Sequence, residues 1–368
     1  MANKNDTTVK VLMLGGRRCG KTSVLASMQD CFDQQFGSSN LTIDVDDPET
    51  MLDLTNKMTE IKGYFDGELD KNFVPDDTPT TEIRRYDISI SLKSKPNGRI
   101  NFQFLDYPGE WVQSKEHLHE LQNLISESHV FLIAIDTPHL MEQTQSEEED
   151  KLGKYNEYHN RSSMISKMLK KELKDPNGRL ILFVPLKCEK YKAANQMSLV
   201  KHKVKIAYRE LIDHLNNNHN KVACTIAITP IYTFGTAEFK RFKRNGDNKI
   251  IIDERYKTPK YPLYGFLDDA KNSPEPQYCE QPLVYVLAFV FSMAKKTKEA
   301  SSKFPFGWFG IKRLFLNKVM RLLGESLLKM PSASDYMKEI QNLKNKMKLE
   351  DGYEIITDPL EITKSGAK

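Results

Sequence analysis

The chain has 368 residues, of which 39% are hydrophobic, so it can bury a large core and is not expected to be disordered. Its formal net charge is only +4, from 54 basic and 50 acidic residues, which argues against a dedicated nucleic-acid-binding protein. The five cysteines form no C-x-x-C pair, which argues against a disulfide framework or zinc site and favours a cytoplasmic location. No apolar run reaches the ~20 residues of a membrane span, and no signal-peptide pattern is present, so we expect a soluble or peripheral protein.

The first predicted elements are a strand, a glycine-rich loop and a helix. Residues 9–14 form an unbroken apolar run, which is typical of a strand buried on both faces, and apolar residues at helical spacing follow over 21–36. The loop between them matches G-x-x-x-x-G-K-[ST], a pattern whose backbone N–H groups and helix N-terminus bind phosphate. We therefore predict a phosphate site formed by Gly15, Gly16, Arg17, Arg18, Cys19, Gly20, Lys21, Thr22 and Ser23.

Within this site each residue type predicts a role. Lys21 should reach the β- and γ-phosphates, and the Thr22 hydroxyl should hold Mg²⁺. For Arg17 and Arg18, contact with phosphate, contact with an acidic group of a partner, and a solvated position all stay open. Cys19 is expected to fill space in the loop.

The next predicted elements are an irregular segment and a hairpin. Residues 37–77 contain a short strand, a helix over 48–65 and a polar loop. Alternating apolar residues at 84–93 and at 99–106, with turn residues between them, predict an antiparallel β-hairpin.

The second hairpin strand ends in a D-x-x-G pattern. In P-loop proteins an acid at such a position holds Mg²⁺ through water, which is the role predicted for Asp106. The N–H of Gly109 would contact the γ-phosphate. This short pattern indicates a nucleotide site because it directly follows a hairpin strand and comes after the phosphate loop in the chain.

Buried strands alternate with helices through the rest of the chain to about residue 298. This alternation predicts an α/β, three-layer P-loop NTPase fold with a mainly parallel sheet and one antiparallel edge hairpin. The later strands are expected at 130–135, 180–185 and 225–231, and the later helices at 112–127, 158–173, 197–217 and 280–298.

The same pattern divides the chain into two parts. Residues 1–298 are expected to form the P-loop domain, with insertions at about 37–77 and 236–278, the second of them irregular and charged. Residues 299–368 are expected to form a helical extension. Its aromatic cluster and basic amphipathic helix leave packing on the domain, a protein partner and a membrane surface as open alternatives. Its predicted features are Phe304, Phe306, Trp308 and Phe309, helices at 311–330 and 335–348, and a loose tail of about twenty residues.

Three motifs together resemble the Ras-like and translation-factor-like P-loop GTPases, the TRAFAC class, over roughly residues 9–240. They are GGRRCGKT at 15–22, PTTE at 79–82 and DYPGE at 106–110. The resemblance implies that Thr80 is a second Mg²⁺-binding hydroxyl, with Thr78 and Thr81 as alternatives. It also places Glu110 where small GTPases have the glutamine that orients the attacking water. A carboxylate can orient water, but it also puts negative charge near the γ-phosphate, so slow or partner-activated hydrolysis is expected.

The fourth motif of this class, [NT]-K-x-D, resembles the sequence that ends here in Lys187-Cys188-Glu189. The resemblance implies that Lys187 packs along the base and that Glu189 accepts hydrogen bonds from N1–H and N2–H of guanine. Leu186 departs from the pattern and removes a polar group. The resemblance implies GTP, with ATP as the alternative, and it places the loop at 229–235 beside the base.

These expectations combine into a magnesium-dependent guanine-nucleotide switch. The alternative is a nucleotide-binding scaffold that hardly hydrolyses. A protein partner is expected at the switch loops and at residues 304–330, with a membrane surface as the alternative and no nucleic acid. Features such as PLKCEKY at 185–191 also resemble bacterial GTPase-like domains of conflict or signalling systems. The expected residues are Lys21, Thr80 and Glu110 for catalysis, and Thr22, Thr80 and Asp106 for the metal.

Overall fold

An eight-stranded mixed sheet organises the chain in the computed structural model. The described residues are 8–36, 39–66, 74, 82–142, 152–173, 178–217, 224–267, 273–303, 333–346 and 352–359. The strands are β1 Thr8–Leu14, β2 Leu41–Asp44, β3 Arg84–Leu92, β4 Lys95–Asp106, β5 Val130–Asp136, β6 Arg179–Leu186, β7 Cys224–Ile228, β8 Ala237–Phe242, β9 Ile252–Asp253, β10 Thr258–Pro259, β11 Pro262–Phe266 and β12 Glu354–Thr357.

Helices cover both faces of this sheet. They are α1 Lys21–Phe36, α2 Pro48–Gly63, α3 Leu118–Glu127, α4 Thr137–Met141, α5 Lys154–His159, α6 Ser162–Glu172, α7 Glu189–Ala193, α8 Met197–Ala207, α9 Arg209–Asn217, α10 Gln281–Lys303 and α11 Ala333–Lys346. Alternate residues of β1 enter different cores: Val11 and Met13 pack in one cluster, Leu12 and Leu14 in the other. The continuous apolar run of β1 therefore reflects burial on both faces, and the predicted three-layer α/β fold is confirmed.

The sheet has the order β12-β7-β6-β5-β1-β4-β3-β2. Parallel pairs join β1 to β4 and β5, β5 to β6, and β6 to β7. The predicted antiparallel hairpin is β3–β4, and β2 extends it antiparallel to the edge. Because the central strands are parallel, their carboxyl ends meet at one edge of the sheet, where ligands of open α/β folds bind.

The outer edge of the sheet formed by β12 differs from the prediction. β12 pairs antiparallel with β7, so part of the expected loose tail is a sheet strand and the fold has a second antiparallel edge. This strand has only four residues, all half-buried, so it carries too little apolar alternation to be recognised.

The insertion at 236–278 is also more regular than predicted. Strands β8 and β11 form one antiparallel hairpin, and the two-residue strands β9 and β10 form another. Phe239 and Tyr264 are fully buried on the first hairpin. Strands this short leave almost no periodicity in a charged sequence, which is why the pattern suggested irregular chain.

Two predicted helices are broken. The helix expected at 158–173 becomes α5 and α6, separated at Arg161, whose φ of 59° is left-handed. The helix expected at 197–217 becomes α8 and α9, which meet at Tyr208. Both interruptions are local backbone events that a 3.6-residue apolar period does not reveal.

The described parts of the C-terminal extension pack on the domain. Tyr336 of α11 is fully buried, donates a hydrogen bond to the carbonyl of Ile90 at 3.0 Å and stacks on Phe291. The aromatic cluster and the helix predicted at 311–330 lie outside the described residues, and the division at residue 298 stays a prediction. No helix in the described ranges is both long and apolar enough to cross a membrane.

Candidate functional site

The loop at 15–20 has backbone angles that require glycine. Gly15 and Gly20 have φ values of 152° and 102°, and Arg18 adopts a left-handed φ of 60°. Side chains are strained at such angles, whereas glycine is not. Helix α1 begins at Lys21, so its unpaired N–H groups and positive dipole end lie at the loop. The sequence motif is thus realised as a strand, a turn and a helix N-terminus.

Two further glycines touch neighbouring backbone. A methyl group on Gly16 would lie 1.8 Å from the carbonyl oxygen of His159, and one on Gly109 would lie 2.3 Å from the backbone nitrogen of Arg17. Only glycine permits these approaches. The predicted γ-phosphate contact, Gly109, therefore lies directly against the phosphate loop.

Three side chains meet beside the loop, those of Lys21, Thr22 and Asp106. The Thr22 hydroxyl donates to Asp106 Oδ2 at 2.7 Å, and the Lys21 ammonium lies 3.3 Å from the carbonyl oxygen of Gly16. The same ammonium is 3.7 Å from Asp106 Oδ1, in an ion pair that is almost wholly buried. The structure thus brings together three side chains to which the sequence assigned one site.

The oxygen donors at this point suit a hard divalent cation. Mg²⁺ prefers carboxylate, hydroxyl and water oxygens, and Thr22 and Asp106 offer two of these types. Asp106 Oδ1 is buried and accepts no hydrogen bond from any described residue. The Lys21 ammonium at 3.7 Å is too far away to donate a hydrogen bond to this oxygen, so it is open to a metal ion or to water. Thr80, the second predicted Mg²⁺ ligand, lies outside the described residues, as do Thr78 and Thr81.

Glu110 does not project freely beside the loop. Its Oε1 lies 3.1 Å from Arg17 Nε and accepts a hydrogen bond of 2.6 Å from the hydroxyl of Tyr256. The Arg17 guanidinium also lies over the Tyr256 ring, 4.6 Å from its centroid. Arg17 therefore meets an acid of its own chain, an outcome that was not among the three alternatives.

The residue after Glu110 faces away from this cluster. Trp111 belongs to the short 3₁₀ turn Gly109–Gln113, and its indole stacks on the ring of His117 with centroids 4.0 Å apart. The turn is therefore anchored on one side by Glu110 and on the other by Trp111.

Lys187 contacts the backbone of the phosphate loop. It adopts a left-handed φ of 59°, and its ammonium lies 3.2 Å from the carbonyl oxygen of Arg18 and 2.7 Å from Asp136 Oδ2. Asp136 ends β5, so the lysine ties β5 and β6 to the loop between β1 and α1. The contact of Lys187 with the loop was not predicted, and its contact with a base stays a prediction.

Asp136 is the centre of a buried charge cluster that the sequence did not reveal. His139 Nδ1 lies 2.6 Å from Asp136 Oδ1, and His159 Nε2 lies 3.5 Å from Oδ2. Burial alone would raise the pKa of Asp136, but His139 and Lys187 hold it well below its usual range. Burial lowers the pKa of His159 to about 4, so this ring is neutral at physiological pH.

The three groups could also be read as metal ligands, since their ligand atoms lie within 4.8 Å of one another. However, the two imidazole rings stack with centroids 3.6 Å apart and planes 7° apart. An ion would have to lie in the planes of both rings, and two parallel planes at this distance share no such point. With Lys187 already on the carboxylate, the arrangement fits an ion-pair cluster.

Asn160 joins this cluster to the loop. Its Oδ1 accepts from the backbone N–H of Asp136 at 2.8 Å, and its Nδ2 donates to the carbonyl of Asp136 at 3.1 Å. The Cys19 thiol approaches the same Oδ1 at 4.0 Å, and burial raises the pKa of that thiol to about 11. Cys19 is thus an inert filler, as expected, and Asn160 with His159 supports the loop through contacts far apart in sequence.

Glu189 is buried and bound to the loop after β7. Its Oε1 accepts hydrogen bonds of 3.1 Å from the N–H groups of Phe234 and Gly235. Its Oε2 is buried and accepts no hydrogen bond within the described part of the chain. Burial raises the pKa of Glu189 to about 7, although the backbone donors act to lower it. The site therefore holds a carboxyl group that lacks a donor on one oxygen.

This environment gives a pH-dependent stability. A carboxyl whose pKa rises from 4.5 to about 7 on folding keeps a proton that the unfolded chain has released. Stability should therefore fall as the pH rises through this window, by on the order of 3 kcal/mol. Glu189→Gln keeps the acceptor but cannot ionise, so the variant should be more stable than the wild type at about pH 8 and equal to it near pH 4.5.

Urea unfolding across this pH range measures the effect. Glu254→Gln is the matched control, because Glu254 is largely exposed and pairs only with Lys257. Parallel curves for wild type and Glu189→Gln would show that Glu189 does not carry the pH dependence.

Beside the loop on the Glu189 side lies a small cavity of about 30 Å³. One wall comes from the phosphate loop and α1, one from β6 and the loop after β7, and one from α2. A volume of this size holds about one water molecule. The lining includes Cys19, Gly20, Ser23, Leu186, Lys187, Phe234 and Tyr64.

Sequence reasoning missed Tyr256, Asp136, His139, His159 and Asn160. Tyr256 lies 146 residues from Glu110, and Asn160 lies 24 from Asp136, so no local spacing links them. The one available signal was Asp136 itself, an acid at the carboxyl end of a buried strand, where ligand-facing residues of parallel sheets occur.

Comparison with known proteins was made at three levels. No curated protein matches the sequence. Among solved structures, the Saccharomyces cerevisiae Ski7 GTPase-like domain is similar in its GTP-bound form, with 15% identity and a TM-score of 0.32 over 70% of this chain and 48% of that one. The form bound to GDP and inorganic phosphate has 14% identity and a TM-score of 0.30 over 69% and 48%. The chain thus spans about half the length of those proteins.

A family model gives the decisive match. The model described as Double-GTPase 2 matches residues 11–241, which is more than half of the chain and includes the phosphate loop, Asp106, Gly109 and Lys187. This region contains the strand, loop, helix and hairpin described above. The chain is a P-loop GTPase-like protein that belongs to the Double-GTPase 2 family.

Proposed function

We propose that the chain is a Mg²⁺-dependent guanine-nucleotide-binding switch protein with slow or partner-activated GTP hydrolysis. The observation that carries the proposal is the hydrogen bond of 2.7 Å between Thr22 of the phosphate loop and Asp106, which lies 84 residues away. It joins the loop that would hold the phosphates to the strand end that leads into Gly109. A nucleotide at the loop would therefore act directly on the segment at 106–110.

The roles of the residues around the phosphates follow from their positions. The backbone N–H groups of the loop and of the start of α1 would bind the phosphate oxygens, and Lys21 would hold the β- and γ-phosphates. Thr22 and Asp106 would hold Mg²⁺, with Thr80 as a further ligand, and the ion would neutralise phosphate charge. Gly109, lying against Arg17, would offer its N–H to the γ-phosphate.

The base side of the proposal rests on Lys187 and Glu189. The aliphatic part of Lys187 would pack along the base, and Glu189 Oε2 would accept the paired donors of guanine, which adenine lacks. The cavity beside them is small, about 30 Å³, so α2 or the loop after β7 would shift when a base enters. We propose GTP as the nucleotide for this reason, with ATP as the weaker alternative.

Hydrolysis would depend on Glu110 as the group that orients water. A second candidate function, a scaffold that binds nucleotide and hardly hydrolyses it, is favoured by the carboxylate of Glu110 at the position where small GTPases have a glutamine. Multiple-turnover release of phosphate separates the two. A steady release supports the switch, and a flat trace with tight nucleotide binding supports the scaffold.

The proposal extends to a binding partner and to a cellular location. The switch segments and residues 304–330 would contact a protein partner, and the basic amphipathic segment could instead lie on an anionic membrane. We propose a cytoplasmic protein of the type found in bacterial conflict or signalling systems, with peripheral attachment to a membrane as the alternative. Flotation with liposomes containing phosphatidylserine, with and without residues 304–330, tests the membrane alternative.

The experiment that tests the nucleotide proposal is calorimetric titration with GTP–Mg²⁺ and ATP–Mg²⁺. We expect the wild type to prefer GTP and to lose affinity when Mg²⁺ is chelated. Glu189→Gln places an amide donor where guanine needs an acceptor, so it should reduce the preference for GTP by about tenfold or more. An unaltered GTP-to-ATP ratio in this variant would remove Glu189 from the base site.

A further inference from the structure

The second insertion reaches the phosphate loop. The hairpin β9–β10 and the residues up to Pro262 line a cavity of about 320 Å³ together with Arg17, Gly109 and Glu110. The insertion is therefore a neighbour of the nucleotide site, although it follows the loop by more than two hundred residues in the sequence.

Tyr256 is held at the tip of this hairpin by a well-defined turn. Asp253 Oδ1 accepts from the backbone N–H groups of Arg255 at 3.0 Å and Tyr256 at 3.3 Å. The N–H of Lys257 donates to the carbonyl of Asp253 at 2.7 Å, and Lys257 takes a left-handed φ of 57°. These hydrogen bonds hold the backbone of Tyr256 in its own turn.

From this turn Tyr256 contacts the two residues that matter beside the γ-phosphate position. Its hydroxyl donates to Glu110 Oε1 at 2.6 Å, and its ring lies below the guanidinium of Arg17. Arg17 in turn pairs with the same Oε1 at 3.1 Å. Three side chains from three separate segments therefore form one closed set of contacts around a single carboxylate oxygen.

These contacts hold the carboxylate of Glu110 in place and offset its negative charge. Both contacts are made by Oε1. No described residue donates a hydrogen bond to Oε2, and this oxygen keeps a defined direction while the carboxylate is held. The positive charge of Arg17 also offsets the negative charge that made a carboxylate unfavourable near the γ-phosphate. Fixing one oxygen and compensating its charge is what positioning a water-orienting group requires.

We propose that Tyr256 is a positioning residue for Glu110, so that the second insertion controls the rate of GTP hydrolysis from within the same chain. The inference rests on the proposed function, because it assigns Glu110 to the attacking water. It adds a residue and a segment that lie outside the motifs of the phosphate site. Turnover would depend on whether the hairpin β9–β10 stays against the loop.

The test compares single-turnover GTP hydrolysis with nucleotide affinity in Tyr256→Phe. This change removes only the hydroxyl and keeps the ring against Arg17. We expect hydrolysis to slow by about tenfold, which corresponds to one hydrogen bond to a charged group, while the dissociation constant of GTP changes less than about twofold. Tyr264→Phe changes a tyrosine of the same insertion that does not line this cavity, so it should leave both quantities unchanged.

A second comparison separates positioning from a structural effect. In a Glu110→Ala background, Tyr256→Phe should slow hydrolysis much less than in the wild type, because the carboxylate it positions is gone. Equal effects in both backgrounds, an unchanged rate, or a faster rate in Tyr256→Phe would overturn the inference.

The outcomes also separate this inference from the function on which it rests. If GTP does not bind to the wild type, the proposed function fails and the inference fails with it. If GTP binds but Tyr256→Phe hydrolyses it at the wild-type rate, only the inference fails. Loss of binding in Tyr256→Phe would show that the residue acts on affinity and would also overturn the positioning role.

Discussion

Replacing Lys21 by alanine is expected to lower the affinity for GTP–Mg²⁺ by at least about a hundredfold, since loss of a buried, paired charge costs roughly 3 kcal/mol or more. The lysine is 6% exposed, and its ammonium lies between the carbonyl of Gly16 and the carboxylate of Asp106. The alanine variant would lose the cation that meets the phosphates and would leave Asp106 without its partner.

Calorimetric titration measures this loss, and a second lysine provides the control. Lys10 belongs to the preceding strand, β1, and pairs with Glu127 at the surface, where both side chains are substantially exposed. Lys10→Ala should therefore bind GTP like the wild type. Unchanged affinity in Lys21→Ala, with both variants folded, would refute the phosphate site.

Gly109→Ala is expected to slow GTP hydrolysis by about a hundredfold, since a displacement of about 1 Å at a reacting group has an effect of this size. The added methyl group would lie 2.3 Å from the backbone nitrogen of Arg17 and 2.4 Å from the carbonyl carbon of Gly16. Backbone atoms cannot rotate away as side chains do, so the segment at 107–110 must separate from the loop. The N–H predicted for the γ-phosphate would move with it.

The control for this change is Gly246→Ala. A methyl group on Gly246 meets no atom within 4 Å, so the variant should hydrolyse GTP at the wild-type rate. Binding of GDP should survive in both variants, because the loop and Lys21 remain. A wild-type hydrolysis rate in Gly109→Ala would show that the contact with the loop is not needed for turnover.

The parts of the site that the sequence predicted are those carried by contiguous motifs. The loop at 15–20 was recognisable because a buried strand, glycines and a helix start follow one another without interruption. Asp106 was recognisable because the hairpin before it alternates clearly and ends at the acid. In both cases local geometry alone determines where the side chain lies.

The parts that were missed depend on the tertiary fold. Tyr256 reaches Glu110 only because two-residue strands turn the insertion back over the loop. His159 and Asn160 reach the loop only because α5 ends and Arg161 reverses the backbone direction. Short strands and single left-handed residues leave no periodic signal in the sequence. The residues that support the site were therefore not predictable, whereas the phosphate loop and Asp106 were.

The stacking of Trp111 on His117 gives the protein a built-in optical probe. The sequence has only two tryptophans, at 111 and 308, so Trp308→Phe leaves a single tryptophan, next to Glu110. Indole emission depends strongly on ring contacts, and the present contact is a parallel stack with centroids 4.0 Å apart. Any movement of the turn Gly109–Gln113 against the loop should therefore change native fluorescence in real time, without a label on the nucleotide or the protein.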